Sequence, residues 1–410
     1  MNTPNTKPVP SVGPSIESVT RKTGTERTIA CLEALVGFDT TSRDSNLALI
    51  EWVERYLAEF GVASQRINND SGTKANLWAT IGPAVDGGII LSGHTDVVPV
   101  DGQNWDSDPF TLVRKDDKLY GRGSADMKGF LAAVLAKVPE LTKASLSRPV
   151  HIAMSYDEEI GCIGVRSLIE KLVRESPRPA ACIVGEPTGM EVVVAHKAKR
   201  SFRVSVNGKT AHSSLAPFAV NAVEYAARLI VFIREIGKRL QQEGPQDLAF
   251  DVAYSTAHTG VIRGGTQLNI VPELCTFDFE FRALPAVDID ALAEEVKHYA
   301  TSVLEPEMQA IAPDTFIGFE TISSFPGLET APDSDLIGLV KSLAGKNGHT
   351  KVAYGTEAGL FSKAEIPTAI CGPGHIAQAH KANEFVEVAQ LAACDAFLDR
   401  LIASCSKAPG

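Results

Sequence analysis

The sequence predicts an α/β domain, with a mixed sheet flanked by helices, that is interrupted by an inserted α+β domain. Short apolar strand candidates alternate with amphipathic helix candidates over the first part of the chain. That alternation gives way to strand and helix signals in the order βαββαβ, and it resumes towards the end. We therefore expect an α/β domain of residues 26–198 and 320–410, an inserted domain of residues 199–319, and a flexible N-terminal arm of residues 1–25.

The elements of the first part follow from hydrophobic periodicity. Residues 46–60 place Ile50, Val53 and Leu57 on one helical stripe, and Gly61 follows as a stop signal. Apolar runs of strand length predict buried strands at 76–81, 88–93, 151–156 and 180–185, with helices at 126–142 and 161–174.

The inserted part opens with an alternating strand pattern in which Phe202, Val204 and Val206 share one face. The elements expected after it are a helix at 219–239, strands at about 252–263 and 274–282, a helix at 288–303 and a strand near 308–318. This order can form a four-stranded antiparallel sheet with two helices on one side. The final α/β part predicts a helix at 333–344, strands at 350–354 and 367–372, and a C-terminal helix from about 383.

Composition and charge exclude several classes of protein. The 410 residues are 44% hydrophobic and 22% charged, which is ordinary for a globular chain. The net charge is −11, with no basic block, so nucleic acid is not expected as a partner. No apolar run reaches the roughly 18–20 residues of a membrane span. Seven cysteines without a C-x-x-C pair predict buried free thiols in a reducing compartment, and the polar N-terminus lacks a signal-peptide core. We expect a cytoplasmic protein with no membrane partner.

Polar segments follow several predicted strands of the α/β domain, where ligands gather in open sheets. Each has a structural explanation of its own: His94 can be a turn histidine satisfied by Asp96, Asp126 can cap a helix, and a carboxylate run can be a solvated turn. The segments are His94-Thr95-Asp96, the glycine-rich turn with Asp126, Asp157-Glu158-Glu159, Gly185-Glu186 and the stretch from Gly374 to Glu384. One shared site explains their common placement better than five unrelated turns.

The shared site would contain two imidazoles and three carboxylates, from His94, Asp126, Glu159, Glu186 and His380. Nitrogen and oxygen ligands without a thiolate suit Zn²⁺ or a similar divalent ion. Three carboxylates exceed the usual ligand set of one catalytic zinc, but they suit two metals with a bridging carboxylate. In the acidic run, one glutamate can then bind metal while its neighbour acts as general base.

These motifs make a specific pattern. The segments SGHTDVVPVDG, LYGRGSADMKG, DEEIGCIG, GEPTG, AHSS and GPG…AHKANEF closely resemble the M20 family of di-zinc aminoacyl hydrolases, and within it the acetylornithine deacetylases. The resemblance runs from about residue 30 to residue 400. It implies that Asp126 bridges two zinc ions per subunit, which Co²⁺ could replace. His94 and Glu186 would complete one zinc site, and Glu159 and His380 the other.

The resemblance also implies roles beyond the metal ligands. Glu158 matches the general base, and Asp96 matches the carboxylate that orients His94. The inserted domain corresponds to a lid that forms a homodimer through residues 199–319. His212 matches a lid histidine that reaches the active site of the other subunit. A cis peptide bond is implied between Asp126 and the residue after it.

Substrate recognition is expected from three further residues. Arg282 alternates with buried phenylalanines on a predicted strand, and its guanidinium suits a carboxylate; the resemblance makes it the α-carboxylate receptor, with Asn269 nearby. A solvated strand arginine is the alternative. Glu357 matches a Thr-Glu-Ala loop of acetylornithine deacetylases, and we expect it near the cationic end of the substrate.

The expected function is hydrolysis of a small acylated amino acid, N2-acetyl-L-ornithine, to ornithine and acetate. Two alternatives stay open within the same family: a succinyl-diaminopimelate desuccinylase, and a broader N-acyl-amino-acid hydrolase or carboxypeptidase. A metal-dependent binding protein without catalysis is a third alternative. The presence of Glu158 beside Glu159 argues against it, because a binder needs no second carboxylate there.

Overall fold

The chain forms two structural units, and it passes from the first unit to the second and back two times. The computed structural model describes residues 14–174 and 177–406. The first unit contains the residues up to Val194, Thr330–Thr350 and the chain from Thr356 onward, and the second contains Ala195–Glu329 and Lys351–Gly355. The second unit thus interrupts the first, as the predicted insertion does, and the chain enters the second again for one short segment.

Helices and strands alternate through the part of the first unit that precedes the insertion. In chain order these elements are α1 (Ile16–Thr20), α2 (Gly24–Val36), α3 (Leu47–Ala58), β1 (Ser64–Asn68), β2 (Ala75–Ile81), β3 (Gly88–His94), β4 (Val113–Lys115), β5 (Lys118–Tyr120), α4 (Lys128–Ala136), α5 (Val138–Lys143), β6 (Val150–Ser155), α6 (Val165–Arg174), β7 (Pro179–Val184) and β8 (Val193–His196). Helix α1 lies within the predicted arm, whose residues 1–13 fall outside the described residues.

The second unit has the predicted βαββαβ order. Its elements are β9 (Ala198–Asn207), α7 (Ala222–Gln242), β10 (Thr256–Gly264), β11 (Leu274–Ala283), α8 (Ile289–Tyr299), α9 (Glu305–Ile311) and β12 (Phe316–Phe325), with a 3-10 helix at Ser213–Phe218 and a π turn at Ala300–Leu304. The strands form one antiparallel sheet in the order β10-β11-β9-β12. One face of this sheet packs on the helices, through Phe277, Phe279 and Phe281 of β11.

The strand predicted near 308–318 is wrong in position. Helix α9 occupies its first part, and β12 begins only at Phe316. Ala300, Leu304, Met308 and Ala312 are all buried. Their spacing of four residues is the period of a helix face, and this periodicity continues the preceding helix through the π turn.

After β12 most of the remaining elements belong to the first unit, whereas residues 328–329 and 351–352 belong to the second. The remaining elements are β13 (Leu328–Glu329), α10 (Asp335–Ala344), β14 (Thr350–Val352), α11 (Ala358–Lys363), β15 (Thr368–Ile370), β16 (Phe385–Glu387) and α12 (Val388–Cys405). The C-terminal helix therefore starts five residues later than the predicted 383, because β16 first pairs with β5. None of the described helices is both long and apolar enough to cross a membrane.

The large sheet is mixed and confirms the predicted fold class. Its strands run in the order β1-β2-β6-β3-β7-β15-β8-β13. The central strands β6, β3, β7 and β15 are parallel to one another, whereas β1 and β2 pair antiparallel. Strand β3 is buried along its whole length, as expected where helices cover both faces. All seven cysteines are buried and free, which confirms the prediction of buried thiols.

The helix predicted at 126–142 is shorter and broken. It begins at Lys128, so Asp126 lies before the helix, and α4 and α5 are separated at Lys137. Pro139 explains the break, since it lacks the N–H that would continue the hydrogen bonding of α4 and is well placed in the first turn of α5. The Asp126 side chain is therefore free of a capping role.

Candidate metal centre

The carboxyl ends of the four central parallel strands carry the predicted ligands. His94 is the last residue of β3, and Glu158 and Glu159 follow β6 within four residues. Glu186 comes two residues after β7. His380 lies in the longer loop between β15 and β16. Because parallel strands end at the same edge of the sheet, these side chains lie close together although they are far apart in the sequence.

Asp126 lies between the two imidazoles. Its Oδ1 is 3.1 Å from Nε2 of His94, and its Oδ2 is 3.2 Å from Nε2 of His380. Nε2 of His94 is also 3.9 Å from Oε1 of Glu186, and Nε2 of His380 is 3.1 Å from Oε2 of Glu159. The five residues thus form two groups that share Asp126, one with His94 and Glu186 and one with His380 and Glu159. The peptide bond after Asp126 is cis, as the resemblance implied.

The crowded carboxyl groups have displaced pKa values. Burial and the charges of neighbouring carboxylates raise the pKa of Glu158 to about 8 and that of Glu159 to about 7, although His94 opposes both shifts. Burial, Asp126 and Glu158 raise the pKa of Glu186 well above its usual range. Burial raises the pKa of Asp126 too, but hydrogen bonds to both imidazoles prevail and lower it. Carboxyl groups that repel one another in a buried space are a setting that a divalent cation stabilises.

The residues present fit metal ions. Oε1 of Glu159 is buried and has no hydrogen-bond partner among the described residues, so a ligand atom is left for a cation. The ligand atoms of His94, Asp126 and Glu159 lie within 4.8 Å of one another, and so do those of His94, Glu158 and Glu186. Imidazole and carboxylate donors suit zinc and related divalent ions.

Asp96 connects His94 to the acidic turn. Nδ1 of His94 is 2.9 Å from the backbone oxygen of Asp96 and 3.5 Å from its Oδ1. The two oxygens of the Asp96 side chain also accept hydrogen bonds from the backbone N–H groups of Glu158 and Glu159, at 3.1 and 3.3 Å. Ser42 donates to Oδ2 at 2.7 Å. Orientation of a ligating imidazole by a carboxylate is the usual arrangement around protein-bound metals.

The Glu158 side chain has one contact that the sequence did not suggest. Sγ of Cys162 donates to its Oε1 at 3.2 Å. Burial and the neighbouring Glu158 raise the pKa of the Cys162 thiol well above its usual range, so the thiol keeps the proton that it donates. Cys162 appeared in the sequence only as one of seven buried cysteines, and its spacing of four residues from Glu158 was the signal that could have identified it.

Glu357 is fully buried, and both its carboxylate oxygens are in use. Ser92 on β3 donates to Oε1 and Ser155 on β6 donates to Oε2, each at 2.6 Å. Burial raises the pKa of Glu357, and the two serine hydroxyls oppose that shift. Its contacts thus tie together the ends of the strands that carry His94 and Glu158. Its expected role towards a substrate cation stays a prediction.

The other three predicted residues belong to the second unit. His212 is exposed, and its Nδ1 is 2.9 Å from Oγ of Ser214. It forms a bridge to Ile270, beside the exposed Asn269, so these two predicted residues lie together. Arg282 lies eight residue steps along β11 from Leu274, the first residue of that strand, and its Nε donates to Glu280 at 2.8 Å. At about 3.3 Å per residue, this places Arg282 roughly 26 Å from the end of the sheet that carries His212.

Comparison with known proteins identifies the family. The profile of Peptidase family M20/M25/M40 matches residues 90–404. The chain belongs to this family. The predicted M20 resemblance is thereby confirmed, and the chain is an M20 amide hydrolase by descent.

Several similar M20 proteins are named acetylornithine deacetylase. The protein of that name from Pasteurella multocida is 34% identical over 364 residues, which covers 87% of this chain and 91% of the relative. Those from Photorhabdus laumondii and Proteus mirabilis are 32% and 33% identical, covering 92% and 88% of this chain and 95% and 91% of their own length.

Solved structures of similar proteins share the fold. An M20 family metallo-carboxypeptidase from Sulfolobus solfataricus superposes with a TM-score of 0.73 at 19% identity, covering 92% of this chain and 99% of its own. The aminopeptidase PepT from Bacillus cereus gives a TM-score of 0.71 at 22% identity, covering 94% and 100%.

Proposed function

We propose that this chain is a two-metal hydrolase that removes the acetyl group from N2-acetyl-L-ornithine, giving ornithine and acetate in a cytoplasmic step of arginine biosynthesis. The observation that carries the proposal is the position of Asp126, whose two oxygens are 3.1 and 3.2 Å from different imidazoles. A carboxylate in that position suits a bridge between two cations. The relatives named acetylornithine deacetylase support the choice of substrate.

The proposed ligand assignment follows the two groups of side chains. His94 and Glu186 would hold one cation, Glu159 and His380 the other, and Asp126 both. Zn²⁺ is the proposed metal, with two ions per subunit and Co²⁺ as a substitute, because the donors are nitrogen and oxygen without thiolate. Cations bound there would polarise the amide carbonyl and lower the pKa of a neighbouring water.

The proposed role of Glu158 is proton transfer. It would accept the proton of the attacking water and return it to the leaving amine nitrogen. Its pKa near 8 in the absence of bound cations reflects burial and carboxylate neighbours, and a nearby positive charge favours its ionised form. Asp96 would fix the positions of the acidic turn and of the His94 ring. The Cys162 thiol would fix the position of Oε1 of Glu158.

The arrangement of the second unit supports a homodimer with a shared active site. His212 and Asn269 lie at one end of its sheet and Arg282 near the other, roughly 26 Å away at about 3.3 Å per residue. A single second unit therefore cannot bring all three to one small substrate. We propose that Arg282 binds the α-carboxylate in its own subunit, whereas His212 of the partner subunit donates a hydrogen bond to the developing oxyanion.

The interface of that dimer would lie on the inserted unit, within residues 199–319. Strand β10 is an edge of the four-stranded sheet, and it exposes Val261 and Ile262. Exposed apolar residues on an edge strand favour pairing with a second copy.

Steady-state rates on three substrates test the proposed function. The same metal-loaded sample would be assayed with acetylornithine, acetylmethionine and succinyl-diaminopimelate, and we expect the highest kcat/KM with acetylornithine. A Glu158→Gln sample prepared in parallel controls for contaminating hydrolases. A preference for succinyl-diaminopimelate would reassign the substrate, and failure to hydrolyse any of the three would contradict amide hydrolysis itself.

A further inference from the structure

A buried ion pair lies next to the candidate metal centre, and neither of its residues is a proposed metal ligand. Nη1 of Arg122 donates to Oε2 of Glu384 at 2.7 Å, and each side chain is only 1% exposed. Nη2 of Arg122 donates to Oε1 of Gln103 at 2.5 Å. We call these three side chains the Arg122 network. The desolvation of two charges offsets much of their attraction, so stability alone does not explain this buried ion pair.

One end of the Arg122 network holds the main chain at Asp126. Oε1 of Glu384 accepts hydrogen bonds from the backbone N–H groups of Ala125 and Asp126, at 2.9 and 3.1 Å. The backbone oxygen of Glu384 accepts a further bond from Gly121 at 3.0 Å. The glycine-rich turn that carries the proposed bridging carboxylate is therefore fixed to the segment around Glu384.

The other end holds the main chain at His380. Nε2 of Gln103 donates to the backbone oxygen of His380 at 3.0 Å, and Nη1 of Arg122 is 3.3 Å from that of Lys381. His380 has a φ of 62°, in the left-handed region that costs a non-glycine residue about 1–2 kcal/mol. Its side chain is half exposed, so packing alone does not hold this conformation. The hydrogen bond from Gln103 to its backbone oxygen therefore contributes to holding this conformation, in which the ring lies beside Asp126.

We propose that Gln103, Arg122 and Glu384 are positioning residues that set the distance between Asp126 and His380, and thereby the affinity of the cation site that these two share. This inference rests on the proposed two-metal site. Gln103 and Glu384 form hydrogen bonds to the backbone of the proposed ligands, and Arg122 joins these two side chains, so the network acts through geometry. Among the described residues, the network makes hydrogen bonds to the backbone at Asp126 and His380 and none to His94 or Glu186. The effect should therefore be larger at the cation site that contains His380 than at the site that contains His94.

Direct metal titration tests the inference without reference to turnover. Metal-free protein would be titrated with Zn²⁺ in a competing chelator, and Co²⁺ absorption would report the ligand set. In Arg122→Met we expect one of the two Zn²⁺ dissociation constants to rise by about 10–100-fold and the other to rise by a smaller factor, because Asp126 is a proposed ligand of both cations. Arg27→Met is the matched control, because it breaks the ion pair of Arg27, 7% exposed, with Glu140. Both Zn²⁺ dissociation constants should be unchanged in Arg27→Met.

A second variant covers the case in which Arg122→Met does not fold. Gln103→Ala removes the bond to the His380 backbone and the acceptor of Arg122 and Trp105, but it keeps the ion pair of Arg122 with Glu384. It should raise the same dissociation constant. Two unchanged constants in a folded variant, or equal weakening of both, would overturn the positioning role. If the parent protein binds fewer than two Zn²⁺ ions, the two-metal proposal fails. That outcome is read from the parent alone and is therefore distinct from a failure of the positioning role.

Discussion

The two carboxylate oxygens of Asp126 lie beside two different imidazoles. A substitution that replaces one of these oxygens tests the importance of that arrangement. Asp126→Asn replaces one acceptor oxygen with an N–H donor, which cannot bind a cation. We expect the metal content to fall from two equivalents to at most one, measured by elemental analysis after dialysis. Asp335→Asn, at an exposed position in the first turn of α10, is the control. Retention of two equivalents in Asp126→Asn would refute a bridging role.

Glu158→Gln should separate catalysis from metal binding. Glutamine has nearly the same shape but cannot accept the proton of the attacking water, so kcat should fall by about 10²–10⁴-fold. The metal content should stay at the parental value, since the proposed ligands are intact. Loss of a metal equivalent together with unchanged residual turnover would instead make Glu158 a ligand.

Glu357→Gln decides between two roles for a buried carboxylate. Both its oxygens accept hydrogen bonds from serines at the ends of β3 and β6, and this favours support of the strand ends. We therefore expect kcat/KM to fall by a similar factor, about 10-fold or more, on acetylornithine and acetylmethionine. A loss confined to acetylornithine would support the sequence-based prediction that Glu357 faces the substrate cation, because acetylmethionine has none.

At the scale of residues, the sequence predicted the side chains that the structure brings together, but not the residues that hold their backbone in place. His94, Glu159 and Glu186 could be found because each follows a strand, and strand ends are visible in hydrophobic patterns. Gln103, Arg122 and Glu384 could not be found in this way. They come from three distant loops, and their contacts depend on tertiary structure that no local spacing encodes.

At the scale of elements, strongly periodic segments were predicted well and short ones poorly. Strand β3 extends over Gly88–His94 and α3 over Leu47–Ala58, each within two residues of expectation. The prediction omitted the short strands β4 and β5, of three residues each, since such runs are too brief to show a period. Likewise, β16 was absorbed into the predicted C-terminal helix, because its pairing with β5 is a long-range contact.

Strand β6 carries a histidine that should make the sheet sensitive to acid. His151 lies opposite Thr80 of β2 and stacks on Trp78, and burial lowers its pKa to about 4. The unfolded chain, with an ordinary value near 6.5, then binds more protons than the folded one between about pH 6.5 and 4. Stability from the neutral ring is present above about pH 6.5 and is lost as pH falls through that window.

His151→Phe should remove this part of the acid sensitivity. Phenylalanine keeps a ring against Trp78 but cannot titrate. Between pH 7 and pH 5 we expect the free energy of unfolding to fall by about 2 kcal/mol less in the variant than in the parent, measured by denaturant titration. His349→Gln, at an exposed histidine, controls for the loss of an imidazole. Equal pH slopes in parent and His151→Phe would mean that His151 has the same pKa in the folded and the unfolded chain.

At the scale of the whole molecule, subunit mixing tests whether His212 acts on the partner's site. Inactive His212→Ala and Glu158→Ala chains would be mixed in equal amounts and allowed to exchange. Half of the dimers are then mixed, and each has one site with both groups intact, so about a quarter of the parental activity should return. The mass of the assembly, measured by light scattering, verifies the dimer. Exchange without any recovery would place His212 in its own subunit's site or outside the chemistry.

The interrupted first unit has a consequence for synthesis on the ribosome. Four proposed ligands, up to Glu186, emerge before the insertion is made, and His380 emerges 194 residues later (380 minus 186). At about 5–20 residues per second, that delay is roughly 10–40 s. During this interval the nascent chain carries the acidic residues without the second imidazole, while both segments of the second unit are translated. The candidate metal centre is therefore complete only after the chain has been translated past His380, and chains truncated before that residue lack one of its proposed ligands.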